Sequence, residues 1–327
     1  MNATESPAAA KDATPARPDE TPRWTLHGLN NGFIFGLTCR IVGMMPRWIT
    51  YGIGRVSMWL AWRLMSETRA AVASNLHALA PETLLPECDR RALATFQAYG
   101  YDVIDFLRAL SAPPEQQELM FDVAPSQTAL LQRVLSEGRG MILVSGHYGN
   151  WEIGSVLMRV LKLPLSIVAM PEANPDINRR RQEMREHQGA ETIWVRQSLD
   201  TALQMRRRLA ENGVIAILMD RHFDRDRVQV EVAGRPAWFL KTPALMGLFT
   251  GAPLVPCFIE RTGPGRFFAT AGEPIYVSAD LPRDEAIRQA AQAFADQLTA
   301  RIRAHPEFWY HFYRYWEAQQ ASGDRPA

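Results

Sequence analysis

The feature that most restricts this fold is a regular alternation of short apolar runs and longer amphipathic ones beyond residue 140. Met141-Ile-Leu-Val-Ser145 is long enough for a buried strand and too short for a buried helix. Further strands are expected at 165–169, 192–195, 214–219 and 254–260, with strand pieces within 267–277. Between them lie helical stretches at about 152–161, 175–188, 198–211 and 243–250, and a long amphipathic helix at 284–303 follows. Asn212-Gly213 closes the third of these helices with a C-cap signal. Such β-α alternation predicts an α/β fold, with a mostly parallel central sheet flanked by helices on both faces.

Upstream the pattern changes. Residues 66–80, 89–110 and 127–136 look helical, with Pro113-Pro114 breaking the chain between the last two. From Leu29 to Met65 the sequence is rich in Phe, Ile, Leu, Met and Trp, but Arg40, Arg47, Arg55 and Arg63 interrupt it. No uncharged run there reaches the roughly 18 residues of a confident membrane span. Trp48, Tyr51, Trp59 and Trp62 are of the type that favours the headgroup boundary. Two amphipathic helices lying in or on a membrane fit this pattern, and a helical hairpin packed on the protein's own core is the alternative. Residues 1–23 are polar, rich in Ala, Pro and Thr and without an apolar core, which suits a disordered tail and not a signal peptide. Three regions are thus expected: a tail at 1–23, a membrane-associated helical region at 24–65, and one compact domain at 66–320.

Charge and cysteine content narrow the function. The formal charge of +1 supplies no field that would favour nucleic acid. Cys39, Cys88 and Cys257 are widely spaced, with neither a disulfide framework nor a metal spacing, and they fit a reducing compartment. Arginine outnumbers lysine heavily, since Lys11, Lys162 and Lys241 are the only lysines. A guanidinium can bind phosphate bidentately.

Chemistry concentrates in Ser145-Gly-His-Tyr-Gly-Asn-Trp-Glu152, which begins where the first strong strand ends. Sites in open α/β sheets form at the carboxyl ends of strands. His147 falls in the turn and Glu152 in the first turn of the next helix, where the dipole favours a carboxylate. Five positions apart on a continuous helix the two would face different ways. Across a strand–turn–helix junction they can meet. Glu152 would then fix the tautomer of His147, leaving the other ring nitrogen as a general base. The alternative is a structural histidine beside a helix-start glutamate.

The Gly-His-X-Gly-Asn-Trp-Glu string resembles that of the lipid A biosynthesis acyltransferases (the late lauroyl and myristoyl transferases), within the wider lysophospholipid acyltransferase superfamily. Three more blocks agree in order and spacing: Met170-Pro-Glu-Ala-Asn-Pro175 followed by Arg185; Leu209 to Asp220; and Ile302-Arg-Ala-His-Pro-Glu-Phe-Trp309 onward to Trp316. The resemblance covers about residues 30–316. It implies a membrane-associated enzyme at the cytoplasmic face of the inner membrane. The reaction implied is attack of a lipid hydroxyl on an acyl thioester carried by acyl carrier protein or coenzyme A, with no metal and no resident cofactor. Carried over by position, His147 is the base and Glu152 its partner. Arg185 becomes a substrate-anion contact, Asp220 an active-site acid and Asn150 a further substrate-binding residue. Where the family usually has a second acid two residues after the aspartate, this chain has His222. That departure bears on the acceptor.

Other clusters have plainer readings. Arg179-Arg-Arg181 and Arg206-Arg-Arg208 suit solvated helix faces as well as a phosphate clamp. Asp220, Asp224 and Asp226 are interleaved with arginines and lack the glycine of a calcium loop. The C-terminal aromatics Trp309, Tyr310, Phe312, Tyr313, Tyr315 and Trp316, with His305 and His311, suit core packing first and a headgroup belt second. A lipid hydrolase or thioesterase would need a nucleophile, and no G-x-S-x-G elbow occurs. A non-catalytic membrane binder would have no use for the His-X4-Glu pair.

Overall fold

A computed structural model describes residues 32–171, 175–195, 199–223 and 226–323. The expected tail at 1–23, Asn174 of the Asn-Pro pair and Asp224 lie outside them.

The described residues contain nine strands: β1 (Phe121–Asp122), β2 (Met141–Ser145), β3 (Leu165–Ala169), β4 (Glu191–Trp194), β5 (Val214–Leu218), β6 (Val228–Val232), β7 (Arg235–Phe239), β8 (Leu254–Gly263) and β9 (Arg266–Ala271). Seven form one sheet in the order β1-β9-β8-β2-β5-β3-β4, parallel throughout except for the antiparallel pair β8–β9. The α/β expectation holds, with strand limits within a few residues of those read from sequence.

Burial on both faces explains the unbroken apolar run of β2. Ile142 and Val144 belong to one core cluster, Met141 and Leu143 to the other, as the two-residue period of a strand requires. The next strand behaves alike, with Ile215 and Ile217 on the first face and Val214 and Ala216 on the second. The helix Arg283–Ala304 covers the first face through Ile287, Ala291, Phe294, Leu298 and Ile302. Leu131, Val134, Val156 and Leu157, from two other helices, cover the opposite face.

Strands β6 and β7 form a separate antiparallel hairpin, an element the sequence reading did not include. Its turn is Ala233-Gly234, both at positive φ. A two-residue turn of that hand matches the twist of paired strands, but Ala-Gly is a weaker signal for it than Asn-Gly.

The N-terminal region consists of α1 (Gly32–Met44), α2 (Arg47–Leu64), α3 (Ser66–Leu79) and α4 (Leu85–Ser111). Helices α3 and α4 pack through Val72, Ala73, Leu76, Cys88, Ala92 and Phe96, with Met58, Ala61 and Trp62 of α2 against them. The other side of α2 is solvent-facing and apolar, carrying Ile53, Val56, Leu60 and Leu64 at helical spacing. The helix is thus packed on the core on one side, as the hairpin alternative expects, and keeps an exposed apolar stripe on the other. No helix among the described residues is long and apolar enough to cross a membrane.

Candidate active site

Adjacent parallel strands set the geometry. In the register between β2 and β5, Ser145 stands opposite Leu218. His147 and Asp220 each lie two residues past those ends and come together above them. Asp220 accepts a hydrogen bond from the backbone N–H of His147 at 2.7 Å through Oδ2, and its Oδ1 lies 2.7 Å from His147 Nδ1. Gly146 permits this approach, since a Cβ there would stand 2.9 Å from Asp220 Oδ2.

The carboxylate bonded to His147 is therefore Asp220 and not Glu152. No hydrogen bond or ion pair joins Glu152 to the imidazole. The segment Trp151–Ile153 is a single 3-10 turn before the α-helix Gly154–Val160, and it carries Glu152 away from Nδ1. Glu152 remains close enough to act electrostatically on His147, Arg185 and Tyr99.

His311 completes the arrangement. Its Nε2 lies 3.0 Å from Asp220 Oδ2, and its Nδ1 is 3.1 Å from the Tyr313 hydroxyl. The Tyr315 hydroxyl donates to the Asp220 carbonyl at 3.1 Å. The side chains of Asp220 and His311 are 1% and 0% exposed, whereas that of His147 keeps 17%. Of the three, only His147 retains a path to solvent. Sequence reading had placed His311 in an aromatic cluster without a role. Its one signal was a histidine among aromatics in the closing block, and no spacing rule ties that block to residue 220.

Burial lowers the basicity of His147, and the nearby Arg221 guanidinium adds to this against the opposing pull of Asp220. Burial likewise pushes His311 down to about 3. For Asp220, burial alone would raise the pKa. The charge and hydrogen bonds of His147 and His311 outweigh it and hold the carboxyl well below its usual range. At neutral pH the group is thus an ionised aspartate between two neutral imidazoles. With Nδ1–H given to Asp220, the lone pair of His147 is on Nε2. The three residues each offer a possible metal-ligand atom, all within 4.8 Å of one another. In the structure these atoms are hydrogen-bond partners.

The loop is held from outside. His147 O accepts from Tyr310 N at 2.8 Å, Gly149 N donates to Phe308 O at 2.8 Å, and Asn150 N donates to Ile259 O at 2.9 Å. Gly149 has φ +61°, and a Cβ there would lie 2.1 Å from Ile259 O, so only glycine fits. The C-terminal aromatics accordingly belong to the core and to the site's frame: Trp309, Tyr310, Tyr315 and Trp316 are buried.

Asn150 does not present its amide to a substrate. Its Nδ2 donates to Asp102 O at 3.0 Å and its Oδ1 accepts from Ile153 N at 3.3 Å, capping the 3-10 turn. An amide spent at both ends shapes the loop instead. Arg185 is different. It is buried, its Nη1 has no hydrogen-bond partner among the described residues, and its guanidinium lies 5.9 Å from the Trp194 ring centroid. An unpartnered buried cationic donor is costly. Two cavities, of about 490 and 220 Å³, lie away from His147.

The family model described as bacterial lipid A biosynthesis acyltransferase matches residues 24–318. A phosphatidylinositol mannoside acyltransferase of Mycolicibacterium smegmatis is 28% identical over 191 residues, 58% of this chain and 60% of the relative. One of Mycobacterium tuberculosis is 26% identical over 198 residues, 60% of each. The chain thus spans about 60% of the length of the curated relatives it matches.

Proposed function

As the chain belongs to the bacterial lipid A biosynthesis acyltransferase family, we propose that it moves a fatty acyl chain from a thioester, on acyl carrier protein or coenzyme A, to a hydroxyl of a membrane lipid. The observation that carries this is His147. Its Nδ1 is locked to a buried carboxylate, and no protein hydroxyl or thiol is hydrogen-bonded to its ring among the described residues. A base with no nucleophile of its own suits direct attack by the acceptor. Nε2 takes the proton of the lipid hydroxyl as its oxygen bonds to the thioester carbonyl carbon. The tetrahedral intermediate collapses with cleavage of the C–S bond, and the imidazolium returns the proton to the departing sulfur. Asp220 stabilises that imidazolium.

Negative charge on the carbonyl oxygen needs a donor. The amides of His147, Gly149, Asn150 and Ile153 are engaged inside the protein. Arg185 Nη1 is a donor without a partner, and we assign it to an anionic oxygen of the substrate, with Glu152 fixing the charge balance beside it. A glycolipid of the lipid A type is the first acceptor to test, a lysophospholipid the second. The names of the mycobacterial relatives add a phosphatidylinositol mannoside. The exposed apolar stripe of α2 supports work at a membrane surface, which for an enzyme using cytoplasmic thioesters is the cytoplasmic face of the inner membrane.

Ser145 does not supply a hydrolase nucleophile in this arrangement, since its hydroxyl is directed at Gly146 O, 3.4 Å away. The test is transfer of a labelled acyl chain by purified protein from acyl carrier protein or coenzyme A to each acceptor. His147→Ala should abolish transfer by about 10²–10⁴-fold while leaving the protein folded. Full transfer by that variant, or a trapped acyl-enzyme on the wild type, overturns the mechanism.

A further inference from the structure

At the opposite end of α1 from Gly32 is a cavity of about 490 Å³ that no step above uses. It is walled by Arg40, Gly43, Met44 and Arg47 at the end of α1 and start of α2, and by Arg108 and Gln116 among others from the end of α4 and the turn after it. Three guanidinium-bearing side chains line it and no carboxylate does.

Two of the arginines are fixed. Arg108 Nη1 donates to the carbonyls of Val42 and Met45, at 2.6 and 2.8 Å, and Arg47 Nη1 donates to Pro264 O at 2.9 Å. None of the three is ion-paired among the described residues. Arg108 is held below its ordinary pKa by burial and then by the charge of Arg47, with Asp105, which is not part of the cavity wall, acting in the opposite sense, so the two like charges lie close together and are offset only from behind. Holding cations together around a cavity costs free energy that an anion would recover.

The rim says which anion. Met44, 79% exposed, is part of the cavity wall at the end of α1, and Trp48, 77% exposed, stands at the start of α2 beyond the Met45-Pro46 break. Leu37, Ile41 and Met44 are spaced to share one face of α1, and each is exposed. An apolar face with a tryptophan, set beside a basic cavity, matches the layering of acyl chains under phosphates at a bilayer surface. We infer that the cavity between α1 and α4 binds the phosphate of an anionic phospholipid headgroup, as an anchor separate from the acyl-transfer site. It does not depend on acyl transfer, so its failure leaves the proposed reaction untouched.

Vesicle co-sedimentation tests it, with the full chain on phosphatidylcholine vesicles with and without phosphatidylglycerol. Wild type should bind more tightly when phosphatidylglycerol is present. Arg40→Gln removes an exposed cation that makes no hydrogen bond or ion pair among the described residues, and should weaken that binding about fivefold. Gln116→Glu, which places an anion in the wall, should weaken it at least as much. Arg288→Gln removes the same charge from a distant helix and should leave it unchanged. Equal losses from Arg40→Gln and Arg288→Gln would mean diffuse attraction and overturn the proposal, as would wild-type binding that ignores phosphatidylglycerol. Inorganic phosphate is the second arm. If it raises the melting temperature of wild type but not of Arg40→Gln, and phosphatidylglycerol vesicles do not compete, the cavity is a free-anion site and the lipid assignment is wrong.

Discussion

His147 has two acidic neighbours in different settings. On one side Asp220 is buried, bonded through both oxygens and braced by His311 and Tyr315. On the other, Glu152 acts through space on both His147 and Arg185, with no direct bond to the ring. The first side is complete without substrate; the second leaves a buried donor unpartnered. Under the proposed reaction, the difference teaches a division of labour: a preorganised base built from within the protein, and substrate-facing groups left unsatisfied until the substrate arrives.

Asp220→Asn tests the complete side hardest. An amide can offer N–H toward Nδ1 and so favour the wrong tautomer, and turnover should fall about 10³–10⁴-fold, as when the aspartate of a serine protease triad is changed. If Glu152→Gln costs as much and Asp220→Asn little, the assignment of the two acids is reversed. On the substrate side, Arg185→Gln should cost about tenfold or more, the value of one charged hydrogen bond, and should appear largely in KM for the substrate whose oxygen it meets. An unchanged KM with a reduced kcat would place Arg185 on the developing oxyanion alone.

His311→Phe, which removes the Nε2 donor and supplies no N–H in its place, should reduce kcat by about tenfold. More tellingly, Asp220 would lose a donor, become a stronger acceptor toward His147 and stabilise the imidazolium. The acid limb of the pH–rate profile, below the ordinary histidine range in wild type because burial disfavours the cation, should then move to higher pH. A merely structural role would lower the rate without moving that limb.

A separate effect is on stability. His311 has a pKa of about 3 in the folded protein and about 6.5 when unfolded. Between those values the unfolded chain binds a proton that the folded one does not, so stability falls as pH drops through this window, by up to about 1.4 kcal/mol per unit. Thermal melts from pH 7 to pH 4 should show a shallower slope for His311→Phe than for wild type. Equal slopes would mean that His311 titrates normally.

The strands, their parallel arrangement and the place of His147 at a strand end were legible because each depends on local periodicity and on punctuation by Gly, Asn and Pro. Arg185 and Asp220 were named through a resemblance of motifs, and the fold gave them surroundings that periodicity does not encode. Which carboxylate reaches His147 was misread, because spacing along the chain suggested residue 152 while the register of β2 against β5 delivers residue 220. Asn150 looked like a ligand group and serves as a cap, since only the folded loop shows where its amide hydrogen bonds go.

Sequence alone determined that an imidazole would stand at the end of a buried parallel strand, because strand burial and tight turns are set by neighbouring residues. Tertiary structure decided its partners. Asp220 and His311 lie 73 and 164 positions further along the chain, and nothing local brings them near. They meet because strand pairing aligns the ends of β2 and β5 and because the closing aromatic segment packs back over the loop. Hydrogen bonds between such distant residues depend on that packing and leave no periodic trace in the residues that make them.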